Sequence, residues 1–594
     1  MRRLLIIIAA CMLFSTGFVS FHIENTSGEK IELSDSLMFS HPEIIEHGDG
    51  CVTVEIREVS SYTSTPGLPV LPVYKKTYTF PFGTKILDIT YTCSTVQKIK
   101  LSKDILLAAE PKPVSKIVSK IKMEKREKNL YPEKHLVWKE GAGLKNDKHV
   151  VFLTVYCYPV QYSFKEKSIY FTPNVKFQIK YQIPKKQTGF PDEYDLLVIA
   201  PSKFSQALQP LIDHKESHGI RTLFMTTENI YSSYDGRDEP EKIKYFIKYA
   251  IENYGVKYVL LVGSIYYLPI RTSYSSIWHF EEDLLTDLYY ADIYDANGSF
   301  CNWDSNGNNK FGETDVDEMD LYPDVYIGRL ACDSVEEVQV VVDKIIHYEN
   351  ETYGQEWFKK MIFIGGDTFP RFWSPGNEGE EINKIIMNIM CDFEPSAIIW
   401  TSKHNFNRRT ISNAINQGAG FVDYSGHGFE HGIGTYPPHG RVLRTYLTPY
   451  IKDLVNGYKL PIIFFDACLT AKLDFVLDDL LSYKGYRVFK ILYLLPGIDK
   501  NMKLPCFAWC FVKHSNGGAI ATIGATRTAY GGIERGAGKI SIEFFKSYNN
   551  SETLGQMMLQ AQNAYITDVP YDAFTVEEFI LLGDPSLRVG GYPS

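Results

Sequence analysis

Positive charge is in deficit in this chain: 62 Lys and Arg face 71 Asp and Glu, for a net charge of −9. No basic stripe offsets that balance, which excludes nucleic acid as the expected partner. Long apolar runs are missing too. Beyond the amino terminus no stretch approaches the ~20 residues a membrane-crossing helix needs. There is no CxxC pair or other zinc-ligand spacing. Ten cysteines lie scattered without the spacing of a disulfide framework, and removal of Cys11 with the first segment leaves an odd number, so at least one thiol stays unpaired or bonds another chain. Cys506 and Cys510 fall on one face of an expected helix and are poorly placed to bond each other.

What is present divides the chain. Residues 1–20 hold two arginines, an apolar core over 4–14 and small residues near their end. That is the pattern of a secretory signal, and it predicts a secreted or cell-surface protein with no stable membrane span once the signal is removed. The 594 residues, 44% hydrophobic and 22% charged, are enough for two or three domains. Residues 21–183 read as all-β, with alternating or β-branched runs at 52–56, 149–158, 169–171 and 175–183. The charged run 122–134 reads as a solvated segment. PKKQTGFPD at 184–192 reads as a linker, with Lys185 and Lys186 as a dibasic point open to proteolysis. From 193 the pattern changes to alternating strand and helix: strands near 194–200, 221–225 and 256–262, helices over 204–218 and 241–254. Such alternation predicts a parallel sheet with helices on both faces. A second alternation follows from 356 to 590, so the expected fold is α/β in two halves (193–355 and 356–590) behind an all-β domain.

The chain is organised around 421–475. GFVDYSGHG (420–428) and LPIIFFDACLT (460–470) are short apolar runs that stop at Gly or Ala, the signature of buried parallel strands. Such strands deliver their carboxyl ends to one edge, where ligands bind. His427 and Cys468 stand at those ends. A thiol near an imidazole is the minimal apparatus of a cysteine nucleophile: the thiolate attacks, and the imidazole moves the proton. Backbone amides of His427, Gly428 or Cys468 could hold an oxyanion. The bland alternative is a buried Cys acting as a small hydrophobe beside an unrelated His.

YSGHG at 424 and FDACLTAKLDF at 465 resemble the His and Cys motifs of the gingipain family of cysteine peptidases, relatives of the caspases. Further similar stretches run in the same order: LPVLP at 68, YDLLVIAPSKF at 194, YVLLVGS at 258, DLYYAD at 287, PDVYIGRLACDSVEE at 323, GGAIATIGATR at 517 and LLGDPSLRV at 581. The resemblance implies a caspase-like catalytic domain and a zymogen whose 21–183 domain is an inhibitory propeptide. It implies Cys468 as nucleophile, His427 as base, Gly428 at the oxyanion, and a protein or peptide as substrate. Asp324 takes the place of the acid that steadies the histidine, where the family has glutamate. Glu336 or Glu337 falls near the family's pocket acid, whereas Arg527 would favour an acidic side chain in the substrate. Ala471 replaces a usual glycine. No organic cofactor is implied.

Asp304, Asn306 and Asn308, the carbonyl of Lys310 and then Asp315 copy the spacing of a calcium loop. A turn this rich in Asn and Gly also closes without metal. Two other functions fit the same sequence: a sorting transpeptidase of this fold, or a calcium-stabilised surface binding protein on a peptidase scaffold.

Overall fold

A computed structural model describes residues 28–47, 50–108, 130–185, 189–277, 280–281, 283–368, 377–438, 440, 442–482 and 499–593. The expected signal, most of the charged run at 122–134 and Lys186 of the dibasic point lie outside the described residues.

The amino-terminal part is all-β, as expected. Its longest strands pair antiparallel: Lys30–Met38 and Lys85–Cys93 flank Asn174–Gln182, while Pro72–Pro81 and Leu136–Lys145 flank Lys148–Cys157. They close over their own apolar core, which includes Val52, Leu71, Leu153 and Ile179.

The remainder is built on one ten-stranded sheet. Its strands in chain order are β1 Leu196–Ala200, β2 Thr222–Thr226, β3 Tyr258–Val262, β4 Tyr326–Leu330, β5 Lys360–Gly365, β6 Glu394–Trp400, β7 Phe421–Ser425, β8 Ile462–Asp466, β9 Ala521–Ala525 and β10 Phe579–Leu582. The spatial order is β2-β1-β3-β4-β10-β9-β8-β7-β5-β6. Neighbours from β2 to β4 and from β9 to β6 run parallel. The last strand, β10, lies antiparallel to β9 and is joined to β4 at Arg329 and Leu582. The two α/β halves therefore share one sheet, and one core cluster spans both of them and takes in Ala142 and Phe152 of the β domain.

Helices cover both faces of the sheet, which is why its inner strands read as unbroken apolar runs rather than alternating ones. The helix Glu239–Tyr254 shows how locally the sequence sets these elements. Asp238 caps it through the amide of Glu241, a proline opens it, Gly255 in the left-handed region ends it, and Ile243, Phe246, Ile247 and Ala250 are buried.

The β domain sits firmly on the sheet domain. The amides of Ala142 and Leu144 donate to the Asp320 carboxylate (2.7 Å) and the Pro323 carbonyl (2.9 Å). Phe152 stacks on Tyr322 with ring centroids 4.9 Å apart. Gly141 and Gly143 permit this approach, because a Cβ at Gly141 would lie 2.3 Å from the Tyr322 ring and one at Gly143 2.8 Å from the Pro323 carbonyl. Further out, Lys75 pairs with Asp568 at 3.1 Å and Arg535 donates to the Ser64 carbonyl at 2.6 Å. The linker is also engaged where it is described: Phe190 packs against Phe82, His149 and Tyr294.

Candidate active site

β7 and β8 pair in parallel register, ending with Ser425 opposite Asp466. Two positions further along each chain stand His427 and Cys468, so the register delivers both to the same edge of the sheet at the same level. Gly428 then lies directly over the Cys468 backbone: a Cβ there would meet the Cys468 carbonyl oxygen at 2.1 Å and its amide nitrogen at 3.0 Å. This is the close approach that glycine alone allows.

After β7 the chain makes a hairpin, His427–Phe429 against Gly432–Thr435, extended by Arg444–Leu447. Tyr424 fixes the hairpin's root by donating its hydroxyl to the carbonyls of His427 (2.7 Å) and Gly434 (2.8 Å). His427 Nε2 lies 2.9 Å from the carbonyl oxygen of Thr368, just past β5. A carbonyl can only accept, so Nε2 carries the hydrogen and Nδ1 is the basic nitrogen. Asp367 and Tyr436 exchange backbone hydrogen bonds of 3.0 and 3.1 Å, which holds the Thr368 carbonyl in place, and the Tyr436 ring stands edge-on to the imidazole at 5.6 Å. Burial pushes the His427 imidazole down to about 4, against the opposite pull of the Thr368 carbonyl.

Cys468 is a fully buried thiol, and the nine cysteines at 51–510 all carry thiols rather than disulfides. Its Sγ donates to the Ala529 carbonyl at 3.4 Å. The turn after it hangs on the end of β9: Leu469 N donates to Arg527 O (2.8 Å) and Ala471 N to Ala525 O (2.9 Å). Leu469 has φ of 57°, a left-handed conformation costly for a branched residue.

Beneath the pair are two buried acids. Asp466 accepts from the Ser425 hydroxyl at 2.6 Å, and burial pushes its carboxyl up to about 7. Asp423 in β7 is pushed up by burial to about 8; it accepts from Asn383 at 2.7 Å, and Asn383 in turn accepts from Trp400 at 2.8 Å.

A thiol and an imidazole just past the ends of neighbouring parallel strands suit a cysteine peptidase, and the sequence profile of Peptidase family C25 matches residues 191–590. The chain belongs to peptidase family C25. Among relatives of this C25 chain is Gingipain R2 of Porphyromonas gingivalis, 24% identical over 405 residues, a match covering 66% of this chain and 46% of that protein. Lys-gingipain HG66 of the same organism is 22% identical over 356 residues, covering 57% of this chain and 16% of that protein. The chain thus spans less than half the length of these relatives. The crystal structure of the Arg-specific cysteine proteinase gingipain R superposes with a TM-score of 0.50 at 23% identity, over 68% of this chain and 80% of that one, which supports the caspase-like fold.

The C25 resemblance pointed to Asp324 as the acid beside the histidine, and the structure corrects this. Asp324 precedes β4 and is fully buried; one carboxylate oxygen accepts from the amides of Ile293 and Tyr294, both at 2.8 Å, and the other faces His149 of the β domain at 3.6 Å. Burial pushes its carboxyl up. The group that His427 meets is a main-chain carbonyl, for which a sequence has no signature.

The pocket residues are dispersed. Glu336 is in the first turn of the helix Val335–Glu351, and Glu337 receives the Asp333 amide (3.1 Å) and Lys513 (2.8 Å). Arg527 meets the turn after Cys468 through its backbone carbonyl, but its guanidinium is gripped by Asp474 at 2.9 and 2.8 Å and by the Asp283 carbonyl at 2.7 Å. Glu430, at the hairpin tip, faces Lys472 at 4.0 Å.

The loop expected to hold calcium is closed by its own hydrogen bonds. Asp304 accepts from the amides of Asn308 and Asn309 and pairs with Arg237. Asn306 and Asn308 accept from the amides of Asn308 and Lys310 at 2.9 and 2.7 Å. Asp315 is exposed. Glu313 and Asp317 turn into the loop instead: Asn308 donates to Glu313 at 2.6 Å, and Ser305 N to Asp317 at 2.7 Å. The hard oxygen donors of this loop suit calcium in type. Among the described residues no three His, Cys, Asp or Glu side chains converge as for a metal.

Proposed function

We propose that the protein is an exported cysteine endopeptidase made as a zymogen, with Cys468 as nucleophile and His427 as general base and acid. The observation that carries this reading is the register that brings both residues to one level of one sheet edge, with Gly428 against the Cys468 backbone. In the reaction the Cys468 thiol gives its proton to Nδ1 of His427 as sulfur attacks the scissile carbonyl. His427 passes that proton to the leaving amine, and a water molecule, deprotonated by the same nitrogen, then hydrolyses the thioester. The amide hydrogens of Gly428 and Cys468 are the oxyanion donors in this reading. The Thr368 carbonyl orients the imidazole and stabilises its charged form.

The thiol's full burial and its bond to Ala529 support a resting, latent state. Arg535, on the same loop as Ala529, is tied to Ser64 of the β domain, which supports that domain as the inhibitory propeptide. Calcium is proposed only as a stabiliser of the 304–317 loop; a melting point that rises with calcium and falls with chelator would bear that out, and an unchanged one would exclude it.

The test is to process the chain, present a peptide library, and analyse products by mass with and without an added amine. Hydrolysis that disappears in Cys468→Ala supports the reading. Cleavage persisting in that variant excludes it, and products joined to the amine would make the enzyme a transpeptidase.

A further inference from the structure

The site draws attention to the residues one step behind the reacting pair. Ser425 and Asp466 are the last residues of β7 and β8, opposite each other in register, 2% and 6% exposed. Their side chains are bonded at 2.6 Å, and Gly426 N donates to the Asp466 carbonyl at 3.2 Å. The rest of β7 and β8 is apolar except Asp423, which is committed sideways to Asn383 and Ser541.

That pattern has a consequence for register. A strand buried on both faces has no polar–apolar alternation to name its register, so the register rests on how its side chains pack and on its polar contacts. A slip of one residue between β7 and β8 would shift His427 along Cys468 by ~3.3 Å. Proton transfer between the two requires a heavy-atom separation of about 2.6–3.2 Å, so such a slip separates them. A buried hydroxyl–carboxyl bond is the kind of contact that does penalise it, because either group left without its partner keeps the full cost of desolvation.

We propose that Ser425 and Asp466 are positioning residues: their side-chain bond locks β7 against β8 and so sets the reach of His427 to Cys468. Neither touches the reacting atoms. The inference rests on the peptidase reading above.

The test uses protein processed from the full chain, carrying Ser425→Ala, Asp466→Ala or Asp466→Asn. The asparagine keeps a side-chain oxygen that accepts from Ser425, so it is the conservative rescue. In each, kcat and KM are measured separately on a peptide substrate, and the rate of Cys468 alkylation by iodoacetamide is followed across pH. A positional error of about 1 Å costs up to about 100-fold in rate. Ser425→Ala and Asp466→Ala are therefore expected to lower kcat about 10- to 100-fold with KM changed by less than about twofold, and to move the pH profile of alkylation toward that of a thiol without a base. Asp466→Asn is expected to retain kcat within about threefold. The inference is overturned if the folded alanine variants keep native kcat and alkylation profile, or if Asp466→Asn loses as much as Asp466→Ala. Should Asp466→Ala fail to fold, Ser425→Ala, which removes one oxygen atom, decides the matter alone. If the processed, unsubstituted protein cleaves nothing, the peptidase reading fails, while the alkylation series still reports on the lock.

Discussion

Gly428 sits so tightly on Cys468 that an added Cβ would come within 2.1 Å of the Cys468 carbonyl oxygen. Backbone against backbone cannot give way as a flexible side chain would. Gly428→Ala is expected to cost about 1–3 kcal/mol of stability by overpacking, and to reduce kcat/KM by about 100-fold through displacement of His427 from Cys468. Chemical denaturation and steady-state kinetics check both.

His427 is held neutral by burial, its imidazole pushed down to about 4 from an ordinary value near 6.5. The sign follows from linkage. A histidine whose folded value is depressed contributes stability that is present above about 6.5 and is lost as pH falls from there towards about 4. A melting series from pH 7 to 4 should show the latent chain losing stability through that window, less so in His427→Gln.

Asp466 behaves oppositely. Its carboxyl is raised to about 7, so between about 4 and 7 the folded chain binds the proton and the unfolded chain does not, and stability from this group falls as pH rises. Asp466→Asn removes that dependence. The variant should gain relative to native as pH climbs from 4 to 8, a difference read directly from paired melting curves.

Asp324 bonds two backbone amides and faces His149, away from His427. Asp324→Asn should leave kcat of the processed enzyme within about threefold of native, whereas loss of a group that orients a catalytic imidazole costs on the order of 10⁴. Kinetics of the processed variant separates the two.

The β domain's seat depends on Gly141 and Gly143. Alanine at either should weaken that interface by about 1–3 kcal/mol and make thiol labelling of Cys468 faster in the unprocessed chain.

Much of the site was legible because β7 and β8 are buried on both faces: their apolar runs end abruptly, and the residues just past those ends are His427 and Cys468. The alternation from 193 onward announced the α/β fold for the same reason. Three things were not legible. β10 reaches the middle of the sheet from the far end of the chain, and no local pattern records such a pairing. The hairpin after His427 has glycine at 428, 432 and 434, a residue depleted in strands. The partner of His427 is a carbonyl, common to every residue, so the acid of a resembling motif stood in for it. Ser425 and Asp466 were in plain view, but a polar residue closing an apolar strand acquires meaning only when its cross-strand neighbour is known.

The most direct measurement is mass-spectrometric mapping of the processed protein after reaction with a peptidyl chloromethyl ketone. The expected result is a single adduct on Cys468 that forms in native protein and is suppressed in His427→Gln. An adduct confined to another residue, or equal labelling with and without His427, would contradict the assignment of these two residues as the reacting pair.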